Sequence, residues 1–317
     1  MAANRAFIFP GQGSQAVGMG RGLASAFASA REVFAAVDEA LGEKLSALIF
    51  DGDQEELTLT ANTQPALMAV SMAAVAALRA EFGINVDKEA SLVAGHSLGE
   101  YSALAAAGVF SLSDAAALLR TRGNAMQKAV PAGVGCMAVL MGLEWVDVRE
   151  ICQEAASGDI CVPANDNAPG QIVISGHMSA ITRALALAKE HGAKRSMKLP
   201  VSAPFHCPLM RPAADAMRAA LSSVDMHAPS VPVVSNVTAA ETTQVGAIRE
   251  HLVEQVCGSV RWRESVQNMA ASGITEFVEI GAGKVLTGLV KRCVEDADAY
   301  ALGEPKDLEE FAKKCSV

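Results

Sequence analysis

The stretch SLVAGHSLGEYSALAAAG, residues 91–108, places a serine between two glycines at the junction of two apolar segments. The first segment, SLVAG (91–95), has the length of a buried strand, and the second (98–108) is an alanine-rich helix closed by Gly108. The junction itself, GHSLG (95–99), fits the pattern G-x-S-x-G between a strand and a helix. We therefore interpret it as a sharp strand-to-helix turn that presents a serine side chain.

Ser97 is a candidate nucleophile because of where this turn puts it. A nucleophile held on a sharp turn needs small neighbours, since the chain must bend and a substrate must approach. The following helix directs its N–H groups and its positive dipole end at the turn, so an oxyanion forming there can accept the N–H of Leu98. The alternative is an ordinary tight turn in which Ser97 is only small, and the strand-turn-helix context favours the nucleophile.

Composition and charge limit the classes of protein to which the chain can belong. The chain has 317 residues, 51% of them hydrophobic and 4% aromatic, which is enough for a large aliphatic core. A net charge of -9 without a basic block disfavours a general nucleic-acid or membrane-surface binder. Seven dispersed cysteines without a CxxC pair predict free thiols rather than a disulfide framework or a metal site. An N-terminal apolar run too short for a signal peptide completes the expectation of a soluble cytoplasmic protein.

Apolar strands alternate with helical patterns along most of the chain. RAFIF (5–9), PVVSN (232–236) and TEFVEI (275–280) read as buried strands. Residues 65–83 read as a helix with Pro65 in its first turn, and its apolar part, 66–78, is too short to span a bilayer and predicts a core helix. This alternation predicts an α/β architecture with a mainly parallel sheet.

The middle of the chain has a different order of elements. Its segments predict strand, helix, two strands across a turn, helix and strand, which is the βαββαβ order of a ferredoxin-like unit. We therefore expect a small subdomain at 131–199, inserted into a large subdomain made of 1–130 and 200–317. Pro131-Ala132-Gly133 and Pro200 are the expected junctions.

A serine nucleophile needs a general base, and histidine is the usual one. His96 is adjacent to Ser97, so its side chain should diverge from that of the serine at such a turn. His206 lies in PVSAPFHCP (200–208), where flanking prolines hold an extended loop that suits a presented base. A structural loop histidine fits the same pattern, and these residues alone leave the two interpretations open.

Two polar residues occupy apolar helix faces. Helical phasing places Arg122 on the stripe of Leu118 and Leu119, whereas Arg120 points away and is expected to be solvated. A guanidinium on an apolar face needs an anion, either a structural carboxylate or a carboxylate of a substrate. Gln255 lies on a similar face and is either a satisfied core amide or an anchor for catalytic groups.

The glycine-rich loop FIFPGQGSQAVGMG (7–20) follows a strand, so phosphate binding must be considered. Its glycine spacing is not G-x-G-x-x-G and no Lys-Ser/Thr follows, and GAGK (281–284) also lacks the flanking pattern of a phosphate-binding loop. The loop is better suited to donate the backbone N–H of Gln12 to an oxyanion. An α/β-hydrolase also takes the second N–H donor of its oxyanion hole from a separate loop after a strand.

Eight segments, in this order, carry a resemblance to a known family: FPGQGSQ with GMG (9–20), NTQPAL (62–67), GHSLGEYSAL (95–104), RG…MQ (122–127), NDNAPGQIVISG (165–176), PVSAPFHCPLM (200–210), LVEQV…VRW (252–262) and EIGAGKVLTGL (279–289). Through them the chain resembles, almost end to end, the bacterial malonyl-CoA:acyl carrier protein transacylases of type II fatty acid synthesis. The resemblance implies an α/β-hydrolase-like large subdomain and a ferredoxin-like small one. It also implies malonyl-CoA and acyl carrier protein as partners, and no metal or redox cofactor.

The resemblance also implies the roles of individual residues. Ser97 would carry malonyl as an ester, with His206 as general base and acid and the backbone N–H groups of Gln12 and Leu98 as the oxyanion hole. Arg122 would bind the free carboxylate of malonyl, and Gln255 would support the loop that contains His206. Both are assigned to substrate binding, together with Met126, Phe205, Asn165 and Asn167. In this family the catalytic histidine is held by amide and carbonyl groups, which take the place of the aspartate of a hydrolase triad.

Other functions remain open on the sequence. The same transfer could serve polyketide assembly, and a serine thioesterase or esterase would use the same nucleophile and base. A cation at position 122 argues against a simple esterase, because it selects acids. A non-catalytic domain that keeps the fold is the alternative from outside the enzyme classes.

Overall fold

The structure, a computed structural model, describes residues 4–201 and 203–315. Within that part the strands form two sheets, one of six and one of four. The strands are β1 (Arg5–Phe9), β2 (Leu92–Gly95), β3 (Gly135–Met141), β4 (Cys161–Ala168), β5 (Gln171–His177), β6 (Arg195–Lys198), β7 (Val233–Val234), β8 (Glu241–Thr242), β9 (Glu276–Ile280) and β10 (Asp298–Leu302).

Helices cover both faces of the large sheet and one face of the small one. They are α1 (Arg21–Ala26), α2 (Ala28–Leu41), α3 (Leu45–Asp51), α4 (Gln54–Thr58), α5 (Thr60–Phe82), α6 (Val86–Glu89), α7 (Gly99–Ala106), α8 (Leu112–Lys128), α9 (Trp145–Ala156), α10 (Met178–Glu190), α11 (Arg211–Ser222), α12 (Val245–Gln255), α13 (Trp262–Ala271), α14 (Val285–Cys293) and α15 (Pro305–Cys315). A short 3₁₀ turn, Pro208–Met210, precedes α11.

The six-stranded sheet has the order β10-β9-β1-β2-β7-β8, and its pairs are parallel except for β8. This confirms the predicted α/β architecture with a mainly parallel sheet. Phe9, at the end of β1, is in register with Gly95, at the end of β2. The loop that contains Gln12 and the turn that contains Ser97 therefore leave neighbouring strands at the same edge of the sheet, where binding sites of parallel sheets lie.

The four-stranded sheet is antiparallel, with the order β4-β5-β3-β6. In chain order its elements run β3, α9, β4, β5, α10 and β6, which confirms the ferredoxin-like fold class expected for the insert. The two helices pack on one face and enclose a core of their own. The boundaries 131–199, 1–130 and 200–317 remain a proposal, and residues 1–3, Ser202 and 316–317 lie outside the described part.

Helix α5 begins at Thr60, five residues before the predicted start, so the proline lies inside it. Pro65 has no N–H to donate to the carbonyl of Ala61 one turn earlier. Arg120 Nη1 donates to that carbonyl oxygen at 2.6 Å and also to the side chain of Asn62. The prediction of a solvated Arg120 is therefore wrong, because the broken helix ladder supplies a carbonyl acceptor that the guanidinium satisfies.

Burial of α5 confirms the prediction of a core helix for residues 66–78. By length and composition this is the single described helix that could cross a membrane, yet 61% of its apolar window is buried within the fold. It packs chiefly against α8 and α2. Helix α8 in turn begins at Leu112, and Ser111 caps it, because Ser111 Oγ accepts from the N–H of Asp114.

Candidate active site

Ser97 sits on the turn between β2 and α7 in a left-handed backbone conformation, with φ 53°. A Cβ atom on Gly95 would lie 1.9 Å from the carbonyl oxygen of Gly99, and one on Gly99 would lie 2.2 Å from the carbonyl oxygen of Phe9. Both positions therefore accept only glycine without a shift of backbone. The strained φ and the tight packing together lift the serine side chain out of the turn, as a presented nucleophile requires.

Asn236, two residues after the end of β7, holds this turn from the side of the neighbouring strand. Its Oδ1 accepts the backbone N–H of Ser97 at 2.7 Å, and its Nδ2 donates to the carbonyl oxygen of Gly95 at 2.7 Å. Sequence reasoning missed this residue. Its signal was an asparagine at the end of a predicted buried strand (232–236), at the edge of the sheet where Ser97 also lies.

His206 meets Ser97 across the site. Its Nε2 lies 2.8 Å from Ser97 Oγ, and its Nδ1 lies 2.8 Å from the carbonyl oxygen of Gln255. Because a carbonyl only accepts, Nδ1 carries the proton, and Nε2 is free to accept the serine hydroxyl. Burial first, and then the charge of Arg122, lowers the pKa of His206 to about 3. The imidazole is therefore neutral near pH 7 and in the tautomer of a base.

Arg122 is buried from solvent, at 1% exposure, and its guanidinium faces the serine. Nη1 donates to Gln64 Oε1 at 2.8 Å, while Nη2 donates to Gln255 Oε1 at 2.8 Å and to Ser97 Oγ at 3.1 Å. Its Nε has no hydrogen-bond partner among the described residues. Burial lowers the pKa of Arg122, although a guanidinium stays charged near neutral pH. No carboxylate in the described part lies within 4.0 Å of it, so the guanidinium has no direct ion-pair partner there.

Gln255, which the resemblance assigns to the support of the His206 loop, does not line the cavity. Its side chain is fully buried behind Arg122, where Nε2 donates to Ser97 O at 3.0 Å and to Glu100 Oε2 at 2.7 Å. Its backbone carbonyl anchors His206. Helical phasing placed this glutamine on a buried face but could not tell a face toward the cavity from one behind it.

A cavity of about 420 Å³ opens over Ser97, between the large sheet and the small subdomain. The predicted site residues Gln12, Ser97, Leu98, Arg122, Met126, Asn165, Asn167, Phe205 and His206 all line it. Gln64 lines it as well and was missed, because it precedes the helix predicted at 65–83. Its Nε2 also approaches Met126 Sδ, at 3.7 Å.

Strand β4 contributes residues of the small subdomain to the wall of the cavity. Asn167 Oδ1 is hydrogen-bonded to His96 Nε2 at 2.8 Å, so the histidine next to the nucleophile diverges from it, as expected. The His96 ring also packs on Trp262, with centroids 5.6 Å apart. Asn165 lies two residues earlier and forms a parallel bridge with Val260 of the large subdomain. These contacts fix both asparagines against the wall that holds the serine.

Gln12 and Leu98 reach the cavity from the same edge of the large sheet. Both residues line the cavity, at the ends of neighbouring parallel strands. Among the hydrogen bonds of the described residues, none engages the backbone N–H group of either residue. Within the described part, no group of three His, Cys, Asp or Glu side chains could hold a metal ion. The arrangement supplies a nucleophile, a base, unengaged N–H donors and a cation, which is the equipment for acyl transfer with an acidic acyl group.

Comparison with known proteins agrees with this geometry. The acyl transferase domain family matches residues 6–313. The chain is 48% identical over 303 residues to the malonyl CoA-acyl carrier protein transacylase of Escherichia coli (strain K12), covering 96% of this chain and 97% of that one.

Solved structures agree as well. The acyl-carrier-protein-S-malonyltransferase from Bartonella henselae matches with a TM-score of 0.96 and 53% identity over 99% of both chains. A malonyl-transacylase in complex with its type II PKS acyl-carrier protein matches with a TM-score of 0.94 and 43% identity, covering 98% of this chain and 99% of that one. The chain therefore belongs to the acyl transferase family, among the malonyl CoA-acyl carrier protein transacylases.

Proposed function

We propose that this protein transfers the malonyl group from malonyl-CoA to the phosphopantetheine thiol of acyl carrier protein, in fatty acid biosynthesis, through an ester on Ser97. The observation that carries the proposal is the position of Ser97 Oγ between His206 Nε2 at 2.8 Å and Arg122 Nη2 at 3.1 Å. One neighbour is a neutral base and the other a buried cation. A nucleophile beside a cation is suited to an acyl group that carries its own carboxylate.

In the first half-reaction His206 takes the proton of Ser97 as the serine oxygen attacks the thioester carbon. Negative charge develops on the carbonyl oxygen, and we assign the N–H groups of Gln12 and Leu98 to stabilise it. The C–S bond then breaks, and CoA leaves with the proton from His206. The chemistry is a displacement at a carbonyl and needs no metal or redox cofactor.

In the second half-reaction the thiol of the carrier protein attacks the ester by the reverse path. His206 takes the thiol proton and returns it to Ser97 Oγ, so the two acceptors use one site in turn. Transfer must outpace hydrolysis, and a cavity with buried walls limits the access of water. Such an enzyme works where its carrier protein is found, and we place it in the cytoplasm.

Arg122 selects the acyl group in this proposal. The malonyl carboxylate would pair with the guanidinium, whose Nε has no partner among the described residues. We assign Met126, Phe205, Asn165 and Asn167 to the walls around the acyl group and the pantetheine, and Gln255 to support behind them. An acyl group such as acetyl, which has no second carboxylate, makes no such pair and therefore lacks this stabilisation of the transition state.

The experiment is a two-step incubation. The protein is mixed with malonyl-CoA, and free CoA and malonate are measured; acyl carrier protein is then added, and its malonylation is followed by mass spectrometry. One equivalent of CoA released without malonate, followed by complete transfer to the carrier, is the expected result. Continuous release of malonate would identify a thioesterase, and no covalent adduct would identify a non-catalytic domain.

A further inference from the structure

A buried carboxylate lies behind the acyl site and has no role in the transfer described above. Glu100 follows the serine turn on α7 and is 2% exposed. No Lys, Arg or His in the described part lies within 4.0 Å of its carboxylate. Its Oε2 accepts from Gln255 Nε2 at 2.7 Å and from the backbone N–H of Asn236 at 3.2 Å. Both donors belong to the frame that holds Ser97, Arg122 and His206.

The amide of Gln255 connects this carboxylate to the cation of the site. Gln255 Oε1 faces Arg122 Nη2 at 2.8 Å, and its Nε2 faces Glu100 at 2.7 Å. Because a guanidinium only donates and a carboxylate only accepts, these two charges select one orientation of the amide. The three side chains therefore form a cation-amide-anion series in which the dipole of the amide is aligned between opposite charges.

The series balances charge in the empty pocket. Arg122 contributes one positive charge and ionised Glu100 one negative charge, both removed from water, where an uncompensated charge is costly. A substrate carboxylate on Arg122 adds a second negative charge next to a single cation. Neutrality is restored most simply if Glu100 takes up a proton, since two carboxylates near one cation in a buried site disfavour double ionisation.

We propose that Glu100 is a specificity-determining residue of this site: through Gln255 it compensates Arg122 when the pocket is empty, and it takes up a proton when a dicarboxylic acyl group binds. The inference rests on the proposed function, because it assumes that the acyl carboxylate pairs with Arg122. It assigns Glu100 a positioning and charge-balancing role with no contact to the substrate.

The surroundings of Glu100 suit this role. Arg122 on α8 and Tyr101 on α7 are the ionisable groups that face it, while α12 and the segment after β7 face it with the neutral side chains of Gln255, Asn236 and Ser235. Burial raises the pKa of Glu100 to about 7, opposed by hydrogen bonds from Gln255 and Asn236 and by the charge of Arg122. Burial raises the pKa of Tyr101 as well, so the phenol stays neutral. A small change at Arg122 is therefore sufficient to protonate the carboxylate near neutral pH.

The test is proton uptake on acylation, measured with a pH indicator in weak buffer at pH 7 and normalised to acyl-enzyme by intact mass. Acylation forms the Ser97 O–C bond, breaks the C–S bond and moves the serine proton to CoA, so it exchanges no proton with solvent. Ionisation of released CoA is the same for every acyl group and enzyme variant. Any difference between samples therefore reports a group of the protein.

We expect roughly half a proton taken up per malonyl-enzyme, and none per acetyl-enzyme, since a carboxyl half-protonated in the empty site becomes fully protonated. Glu100→Gln keeps the size and an acceptor oxygen, and should abolish the malonyl-specific uptake. Glu279→Gln is the matched control: Glu279 is a fully buried carboxylate that caps α14 through the N–H groups of Leu286 and Thr287, and its loss should leave the uptake unchanged.

A second readout is the pH dependence of selectivity. Ionised Glu100 competes for Arg122, so the ratio of kcat/KM for malonyl-CoA to that for acetyl-CoA should fall roughly tenfold from pH 6.5 to 8.5. In Glu100→Gln the ratio should not change with pH. Equal proton uptake with malonyl and acetyl in the unmodified protein, or equal uptake with malonyl in Glu100→Gln, would overturn the inference. Absence of any malonyl adduct would instead overturn the proposed function.

Discussion

The imidazole of His206 is held by the residue that also holds Arg122. His206 Nδ1 lies 2.8 Å from the backbone carbonyl oxygen of Gln255, whose side-chain Oε1 lies 2.8 Å from Arg122 Nη2. One glutamine therefore orients the imidazole with its backbone and the guanidinium with its side chain. A neutral carbonyl stands where a hydrolase triad has a carboxylate, so it fixes the tautomer of His206 without adding a charge that would raise the pKa.

His206 should act as a base over an unusually wide pH range. With its pKa lowered to about 3, the imidazole is neutral above that value and loses activity only as the pH falls toward it. At saturating malonyl-CoA, single-turnover acylation should change less than about twofold between pH 5 and 8, whereas an ordinary histidine would lose about 30-fold at pH 5. Stopped-flow CoA release measures this rate, and a titration with a midpoint near pH 6.5 would contradict the prediction.

His206→Ala should slow single-turnover acylation by about 10²- to 10⁴-fold.

Arg122→Ala should reduce malonyl transfer by roughly two to three orders of magnitude, because the acyl carboxylate is left buried without its partner. Acetyl transfer should fall less or rise. Arg120→Ala is the matched control on the same helix, since Arg120 donates to the carbonyl oxygen of Ala61 and should affect stability without altering the malonyl-to-acetyl ratio. Steady-state kinetics with both CoA esters decides the matter. Equal losses of malonyl and acetyl transfer would make Arg122 a structural residue.

Gly95→Ala should destabilise the fold by about 3 kcal/mol or more, since the new Cβ would lie 1.9 Å from the carbonyl oxygen of Gly99 and backbone must move. Gly288→Ala provides the comparison, because no heavy atom lies within 4 Å of a Cβ at that exposed position in α14. Alanine there should stabilise by about 0.5–1 kcal/mol. Urea unfolding of the two variants gives both values, and similar stabilities would refute the steric account of the serine turn.

Asn236→Ala should lower the acylation rate as well as stability. It leaves the Ser97 N–H and the Gly95 carbonyl without their 2.7 Å partners, at a cost of about 1–3 kcal/mol for each buried group. Asn268→Ala removes a comparable bond, to the carbonyl oxygen of Ala239, and among the hydrogen bonds of the described residues Asn268 makes none to the Ser97 turn. Stability should fall in both variants, but acyl-enzyme formation should slow in the first alone. An unchanged acylation rate in Asn236→Ala would mean that the turn holds its shape without the side chain.

The chemistry of the site could be predicted from sequence because its signals are local. Ser97 lies in a short motif whose steric logic is readable, and Arg122 breaks an apolar stripe. The base was less certain, since a loop between prolines suits either a catalytic or a structural His206. The ordered resemblance of eight segments assigned it, and the structure places its ring 2.8 Å from the serine.

The parts that sequence could not give depend on distant partners. Pro65 predicted a helix start, but Arg120 satisfies the carbonyl that the proline leaves free, so the helix extends to Thr60. Glu100 and Gln255 are 155 residues apart, and no periodicity relates them. Whether a buried amide faces a cavity or stands behind it is set by tertiary packing, which local patterns do not encode.

Whether malonyl becomes attached to the hydroxyl of Ser97 tests the central claim most directly. Intact mass spectrometry after brief mixing with malonyl-CoA, followed by peptide mapping, should find one malonyl group, on the peptide that contains Ser97. Ser97→Ala should give a folded protein without the adduct. A malonyl group on any other residue, or an adduct of normal yield in Ser97→Ala, would contradict the account.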